Sequence, residues 1–284
     1  MAAQSECDRG VNAHRKTRMM GAFIDNQSAL MTLSLTPLPP PQFNQAQPGF
    51  PLGAQDVHVH CLDIRQFTAT HYAEAEHIMS ASERERAQKF IRGKESYIAS
   101  RWLMRKLLAS YLNLAPAAVE FLRTDKGKPY LPQRDLQFSL SHSGHWALLA
   151  VSKVELIGVD VEAARSARDL LSIAESYYHP CEFAQLRPLA GAAQNDYFYR
   201  LWTLKEAFFK AIGTGISAGL EKIAFDLAGS AIQAQITPEL GEDSDQWQFH
   251  QWTLGAQDYC SLACKHPHPL HVNWFDALSA PAFP

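Results

Sequence analysis

Residues 156–162 read LIGVDVE, an apolar run that ends in two carboxylates, Asp160 and Glu162. Alternate positions in a β-strand project to the same face, so the pattern predicts that these two acids lie side by side. Helical patterns give way to short β-rich runs before this stretch, and the same succession follows it. The repeat predicts an α+β protein of two similar halves that meet near Leu156.

The composition divides the chain into four segments. Residues 1–55 place six prolines among Gln, Asn and Gly, which predicts a partly irregular N-terminal extension. Residues 56–156 form the predicted N-terminal half, residues 157–276 the C-terminal half, and residues 277–284 a tail. The first thirty residues carry no periodic apolar pattern, so we expect the body to fold without them.

Charge and cysteine usage exclude several classes of protein. The formal charge is -3, from 26 basic and 29 acidic residues, so no basic excess favours nucleic acid as a partner. Five scattered cysteines without a C-x-x-C pair argue against a disulfide framework and against a zinc site. No run approaches the ~20 apolar residues that cross a bilayer. These features predict a cytoplasmic protein without a membrane partner.

Two helices are predicted between residues 82 and 112. Ser82 and Glu85 have the spacing of a capping box, which predicts that a helix begins there. A second helix follows Gly93, with large apolar residues at helical spacing. Arg101 and Arg105 are four residues apart on this helix and therefore share a face.

Residues 202–210 read WTLKEAFFK within a helical pattern, which puts Glu206 and Lys210 on one helix face. An ordinary surface ion pair is one interpretation. The apolar neighbours favour a second, in which Glu206 joins Asp160 and Glu162 at a metal site and Lys210 neutralises a phosphate. Hard carboxylate oxygens beside a phosphate favour Mg²⁺. Two solvated acids at a strand end remain the alternative for Asp160 and Glu162.

The β-rich runs at residues 138–141 and 146–151 are separated by Ser143-Gly144-His145, which predicts a β-hairpin. Two further motifs lie in this hairpin and just before it. Residues 138–144 read FSLSHSG, and residues 124–131 read TDKGKPYL. A histidine between serines, followed by a glycine, can bind a phosphate, although an exposed or structural histidine is the alternative. The second motif is a basic turn that is either another phosphate contact or a solvated loop.

Together and in this order, these motifs resemble the 4'-phosphopantetheinyl transferase superfamily, specifically its Sfp type with two fused halves. The resemblance covers residues 82–219 and rests on the patterns GVDVE, LKEAFFK, SHSG and GKP. It implies a fold of two α/β halves related by pseudo-twofold symmetry, with the active site between them. Residues 1–55 and the last ten or so have no counterpart in the family pattern.

The resemblance also implies an activity: transfer of the 4'-phosphopantetheine of coenzyme A to a serine of an apo acyl, peptidyl or polyketide carrier protein, with release of adenosine 3',5'-bisphosphate. Coenzyme A is the implied co-substrate and Mg²⁺, or Mn²⁺ in its place, the implied metal. Two fused halves let a monomer build the whole site. The alternatives are another Mg²⁺-dependent phosphate enzyme, such as a nuclease or phosphatase, and a catalytically silent binding protein of the same fold.

The family pattern assigns a role to each matching position. The implied metal ligands are Asp160, Glu162 and Glu206. The implied catalytic residues are Glu206 as general base, Lys210 at the departing 3',5'-ADP, and Glu182, which with a metal-bound water is a rival base. The implied coenzyme A contacts are Arg101, Lys126, Gly127, Lys128, Pro129, Ser141 and His142.

Overall fold

The structure is a computed structural model that describes residues 35–46, 50–133, 135–164, 168–229 and 231–279. Within these ranges the chain forms six α-helices and eleven β-strands. The helices are α1 (Ala69–Ile78), α2 (Ala81–Gln88), α3 (Lys94–Leu112), α4 (Leu170–Tyr177), α5 (Pro180–Leu186) and α6 (Gly191–Ile212). The strands are β1 (Asp56–Asp63), β2 (Leu122–Arg123), β3 (Pro129–Tyr130), β4 (Gln137–Ser143), β5 (Trp146–Ser152), β6 (Leu156–Ala163), β7 (Ile223–Asp226), β8 (Gln233–Ile236), β9 (Trp247–Gly255), β10 (Asp258–Lys265) and β11 (His271–Asp276).

The first sheet has the strand order β11-β1-β5-β4. Strands β4 and β5 form the predicted hairpin, and Gly144 in its turn has a φ of 58°, in the left-handed region that favours glycine. Alternate residues of β5, including Leu149 and Val151, join Trp102 and Leu107 of α3 in one buried cluster. The apolar stripe of α3 therefore covers one face of this sheet.

The second sheet has the strand order β6-β10-β9. Apolar side chains of β6 and β10, such as Val159 and Leu262, form a buried cluster with Val57 and Leu148 of the first sheet. The two sheets therefore pack face to face. Because strand residues alternate between faces, Asp160 and Glu162 point away from this cluster, to the side on which α6 packs.

The two halves follow the same path. Each half runs from a strand (β1 or β6) through a long helix (α3 or α6) to a hairpin (β4–β5 or β9–β10). In both sheets the first strand pairs antiparallel with the second strand of the hairpin. The predicted α+β class is confirmed. The repeated order of strand, long helix and hairpin is consistent with two similar halves. Strand β11 returns to the first sheet, parallel to β1.

The described part of the N-terminal extension lies along edge strands. The backbone N–H of Thr253 in β9 donates to the carbonyl of Pro39, and the N–H of Asn44 donates to the carbonyl of Trp274 in β11. Phe50 is buried in the cluster beneath α3. Residues 1–34, which include the segment expected to be dispensable, lie outside the described residues. Among the described helices, none is long and apolar enough to cross a membrane.

One helix begins two residues before its predicted start. Ser80, not Ser82, is the N-cap of α2: its hydroxyl accepts from the N–H of Glu83, whose carboxylate accepts from the N–H of Ser80. Glu85 instead forms an exposed ion pair with Lys89. The prediction of a box at Ser82 was wrong: the sequence offers two Ser-x-x-Glu frames, and the structure uses the first.

A glycine brings α6 against β6. A Cβ added at Gly158 would lie 1.9 Å from the carbonyl oxygen of Ala207 and 2.6 Å from the backbone nitrogen of Ala211. These are backbone atoms of a helix, which no side-chain rotation can move away. The close approach sets the distance between the acids of β6 and the polar residues of α6.

Gly158→Ala is therefore expected to reduce the free energy of unfolding by ~3 kcal/mol, since overpacking against backbone forces the helix off the sheet. Urea-induced unfolding measures the loss. Gly229→Ala is the matched control, because the nearest atom to its added Cβ is 3.5 Å away, an ordinary contact. If Gly158→Ala unfolds at the same urea concentration as Gly229→Ala, the helix is not held at this distance.

Candidate active site

Two carboxylates of β6 face a third from α6. Asp160 is buried with 3% of its surface exposed, whereas Glu162 and Glu206 are half-buried. The Oδ2 atom of Asp160 is buried and has no hydrogen-bond partner. A buried carboxylate oxygen without a donor loses hydration with no compensating contact, and a bound cation would offset this cost.

The three carboxylates interact electrostatically. Burial raises the pKa of Glu206 to about 7, and the negative charges of Asp160 and Glu162 add to the rise while Lys210 opposes it. Burial and the charge of Asp160 also raise the pKa of Glu162, against a hydrogen bond from Ser143. Mutual repulsion of this kind is relieved when a divalent cation binds between the acids.

Lys210 supplies the positive charge at this cluster. Its Nζ atom lies 2.6 Å from Oδ1 of Asp160 and donates to the Ser141 hydroxyl at 2.7 Å. The lysine and Glu206 lie on one face of α6, as predicted from their spacing. No group of three or more His, Cys, Asp or Glu side chains within the described ranges is already arranged to hold a metal ion. The side chains would therefore have to adjust for a cation to bind.

Ser141 is held by the same cluster. Its hydroxyl donates to Oδ1 of Asp160 at 2.8 Å, and only 5% of the residue is exposed. The hydroxyl proton is thus committed to a carboxylate. The phosphate contact expected for Ser141 stays a prediction, whereas its contact with Asp160 was not expected.

A second positive region adjoins Lys210. Exposed His142 has a pKa lowered by partial loss of hydration and by the positive charges of Arg101 and Lys210, with Asp160 opposing. Arg101 is buried, its Nε atom has no hydrogen-bond partner, and its guanidinium lies 5.3 Å from the ring centre of Tyr97. No described carboxylate forms an ion pair with it. A buried guanidinium without an anion is suited to bind one.

The other arginine on this helix face has a structural role. Arg105 forms an ion pair with Glu83 at 2.7 Å and donates to the backbone carbonyls of Pro116 and Val119. These contacts use its guanidinium to fix α2 and the segment after α3. Of the two arginines that the spacing placed together, only Arg101 is left for a ligand.

The basic turn lies at the C-terminal end of α6. Gly127 has a φ of 86°, and the turn is closed by a hydrogen bond from its N–H to the carbonyl of Thr124. Lys128 donates from Nζ to the carbonyl of Ala211, and burial lowers its pKa to about 8. Lys126 is exposed, and Pro129 begins β3. Because Ala211 follows Lys210, the turn is tied to the helix end that carries the candidate lysine.

The structure does not bring Glu182 to the carboxylate cluster. Glu182 is 1% exposed, pairs with the fully buried Lys205 at 2.7 Å, and accepts from the backbone N–H groups of His179 and Phe225. The charges that shift the pKa of Glu206 come from Asp160, Lys210 and Glu162. The observed contacts of Glu182 are structural ones, in a buried ion pair between α5 and α6, and its role as a rival general base stays a prediction.

Sequence reasoning missed the contribution of two other serines. Ser139 and Ser143 accept hydrogen bonds from backbone N–H groups of β6, and Ser143 donates to Glu162. The signal was present: three serines at alternate positions make one face of an otherwise apolar strand polar. Their partner could not be identified, because the neighbouring strand β6 belongs to the other sheet.

Comparison with known families covers most of the described body. The family described as 4'-phosphopantetheinyl transferase superfamily matches residues 156–264. The family described as 4'-phosphopantetheinyl transferase, N-terminal, matches residues 66–154. The two matches meet at β6, where the second half begins.

Curated relatives give the same result. The 4'-phosphopantetheinyl transferase of Bacillus subtilis is 34% identical over 192 residues, which cover 66% of this chain and 83% of that protein. The 4'-phosphopantetheinyl transferase HetI of Nostoc sp. is 39% identical over 155 residues, covering 52% and 65% of the two chains. The human L-aminoadipate-semialdehyde dehydrogenase-phosphopantetheinyl transferase is 30% identical over 205 residues, covering 65% and 66%. This chain belongs to the 4'-phosphopantetheinyl transferase superfamily.

Proposed function

We propose that this protein transfers the 4'-phosphopantetheine group of coenzyme A to a serine of an apo carrier protein and releases adenosine 3',5'-bisphosphate. One observation supports it above all: three interacting carboxylates and Lys210 adjoin the Arg101 guanidinium and the exposed ring of His142. Coenzyme A carries a pyrophosphate, which a metal held by carboxylates can bind, and a separate 3'-phosphate, which a cationic side chain can bind. Family membership supplies the reaction class.

We assign Asp160, Glu162 and Glu206 to a Mg²⁺ ion, with Mn²⁺ as a substitute. The donor set fits, because Mg²⁺ prefers carboxylate oxygens and the buried Oδ2 of Asp160 lacks a partner. When bound, the ion supplies Lewis-acid stabilisation of charge on the pyrophosphate oxygens. The side chains provide the remaining chemistry.

Glu206 and Lys210 are assigned to proton transfer. The carrier serine oxygen forms a bond to the β-phosphorus of coenzyme A, and the bond from that phosphorus to the bridging oxygen breaks. Glu206 accepts the serine proton as the general base. Lys210 donates to the departing phosphate of 3',5'-ADP, where charge develops.

Arg101 and His142 are assigned to the 3'-phosphate, and the turn at residues 126–129 to the adenine side of coenzyme A. Arg101 is held in place by the ring of Tyr97, so it meets an anion with little loss of side-chain freedom. Lys126 is the exposed cation of the turn, whereas Lys128 anchors the turn to α6.

The carrier is an acyl, peptidyl or polyketide carrier domain, and the protein acts as a cytoplasmic monomer. Product analysis tests the assignment of the reaction. Release of 3',5'-ADP from coenzyme A only when an apo carrier is present is expected. A nuclease or phosphatase built on the same acids would release nucleotide or phosphate without a carrier, and that result would contradict the proposal.

Metal binding is expected to depend on pH through Glu206. Its pKa in the folded protein, about 7, lies above the ordinary 4.5, so the proton it retains stabilises the fold below pH 4.5 and this contribution is lost as the pH rises through 7. Mg²⁺ requires the deprotonated carboxylate and competes with that proton. Mg²⁺ should therefore raise the melting temperature more at pH 8 than at pH 6.

Thermal melting with and without Mg²⁺ at the two pH values measures this effect. Glu206→Gln should remove most of the difference between them, whereas Glu175→Gln, an exposed acid on α4, should preserve it. An equal Mg²⁺ effect at pH 6 and pH 8 in the wild-type protein would show that Glu206 does not bind the ion.

A further inference from the structure

Three serines of β4 join the two sheets. Ser139, Ser141 and Ser143 alternate along the strand, and their hydroxyls accept from the backbone N–H groups of β6. The three bonds run from Val159 to Ser139 at 3.0 Å, from Val161 to Ser141 at 3.3 Å, and from Ala163 to Ser143 at 3.3 Å. We call these three residues the serine row.

The serine row supplies hydrogen-bond acceptors to an edge strand of the second sheet. β6 is the outer strand of the second sheet, with β10 on its other side. Its outward N–H groups have no neighbouring backbone to bond, and leaving them buried without an acceptor is costly. Serine hydroxyls supply the acceptors, so the row acts as a joint between the halves.

Each hydroxyl also has a proton to donate, and two of the three protons go to candidate metal ligands. Ser141 donates to Asp160 at 2.8 Å and Ser143 donates to Glu162 at 2.9 Å. No hydrogen bond joins Ser139 to a carboxylate of the described residues. All three serines of the row therefore bond to the backbone of β6, but only Ser141 and Ser143 also bond to a carboxylate.

We infer that Ser143 is a positioning residue that orients Glu162 for metal binding, while Ser139 serves the joint alone. The inference rests on the proposed function, since it presumes that Glu162 is a metal ligand. Glu162 is half-buried at the end of β6 and has several rotatable bonds, so without a donor its carboxylate would turn away from Asp160 toward solvent. The Ser143 hydroxyl, fixed by the N–H of Ala163, donates to Oε2 of Glu162 and so would keep the carboxylate oriented for a cation.

The size of the effect follows from comparable groups. Residues that hydrogen-bond a metal ligand typically change metal affinity ~10–100-fold when they are removed. Ser143→Ala should weaken Mg²⁺ binding by about 10-fold. Ser139→Ala removes an equivalent bond between the halves and no carboxylate contact, so its Mg²⁺ affinity should stay within about twofold of the wild type.

Calorimetric titration with Mg²⁺ alone, without coenzyme A or carrier, tests the inference on four proteins: wild type, Ser139→Ala, Ser143→Ala and Ser143→Thr. Threonine keeps the hydroxyl and should restore affinity. Melting temperatures without Mg²⁺ separate folding from binding. Each alanine variant loses one bond between β4 and β6, and only Ser143→Ala also loses the bond to Glu162, so both variants should still melt as folded proteins.

Two results would overturn the inference. If Ser143→Ala binds Mg²⁺ as tightly as Ser139→Ala, the serine row only joins the two halves, and the inference is wrong. The proposed function would still stand in that case, provided that the wild-type enzyme transfers phosphopantetheine. If the wild-type protein binds no Mg²⁺, Glu162 has no ion to receive, and both the inference and the metal assignment fail.

Discussion

Lys210→Ala is expected to lower the rate of phosphopantetheine transfer ~100-fold or more at saturating Mg²⁺, because the charge that develops on the leaving phosphate loses its donor. The variant should still bind Mg²⁺. In the structure Nζ of Lys210 lies 2.6 Å from Oδ1 of Asp160, so removing the ammonium leaves that oxygen open to a cation. The loss should therefore appear in turnover and not in the Mg²⁺ requirement.

Two further variants separate charge from proton donation and from metal binding. Lys210→Arg restores a positive charge, but a guanidinium hardly gives up its proton, so recovery should be partial. Asp160→Ala should reduce turnover and raise the Mg²⁺ concentration needed for half-maximal rate. Release of 3',5'-ADP across a Mg²⁺ series measures all three variants.

The matched control for Lys210 is Lys265→Ala. Lys265 has a similar exposure, 27% against 30%, and an ion pair with Glu242 at 2.9 Å, but it lies at the end of β10. Its loss should leave turnover near the wild-type value. Wild-type turnover in Lys210→Ala would reduce this lysine to an ordinary ion-pair partner and would remove it from the active site.

Lys205→Met is expected to reduce the free energy of unfolding by about 3–5 kcal/mol, since removing one partner of a buried ion pair leaves the other charge uncompensated. Lys205 is fully buried, with Nζ 2.7 Å from Glu182 and bonded to the carbonyls of Leu220 and Ile223. It therefore ties α6 to α5 and to the start of β7. Urea-induced unfolding gives the magnitude.

The double variant Lys205→Met/Glu182→Gln is the control. Glutamine keeps an acceptor for the N–H of Phe225 and carries no charge, so part of the lost stability should return. The double variant also tests the rival general base. If it is folded but lacks transfer activity, while Lys205→Met retains activity, then Glu182 takes part in catalysis and its assignment as a structural residue is wrong.

The long elements were predictable because their patterns are local. The apolar stripe after Gly93 and the apolar run at residues 156–161 give α3 and β6 within a few residues. The short helices α1 and α5 carry weaker patterns; α5 begins at Pro180 with a box formed by His179 and Glu182, a less usual pair of capping residues. Such ends are determined by tertiary packing as much as by local sequence.

The site was predictable where spacing alone decides which residues meet. Alternation paired Asp160 with Glu162, and a separation of four residues paired Glu206 with Lys210. The same rules could not distinguish Arg101 from Arg105, since their different roles depend on Glu83 and on distant carbonyls. Spacing rules also could not show that Glu182 is buried in an ion pair with Lys205 and is not exposed to solvent.

Intact-mass measurement of carrier proteins tests the central claim most directly. The wild-type protein, coenzyme A and Mg²⁺ are incubated with a panel of apo acyl, peptidyl and polyketide carriers, each beside a version whose attachment serine is alanine. We expect at least one carrier to gain the mass of one phosphopantetheine group, its alanine version to gain none, and Asp160→Ala to label far more slowly. Consumption of coenzyme A with no gain of mass on any carrier would contradict the account.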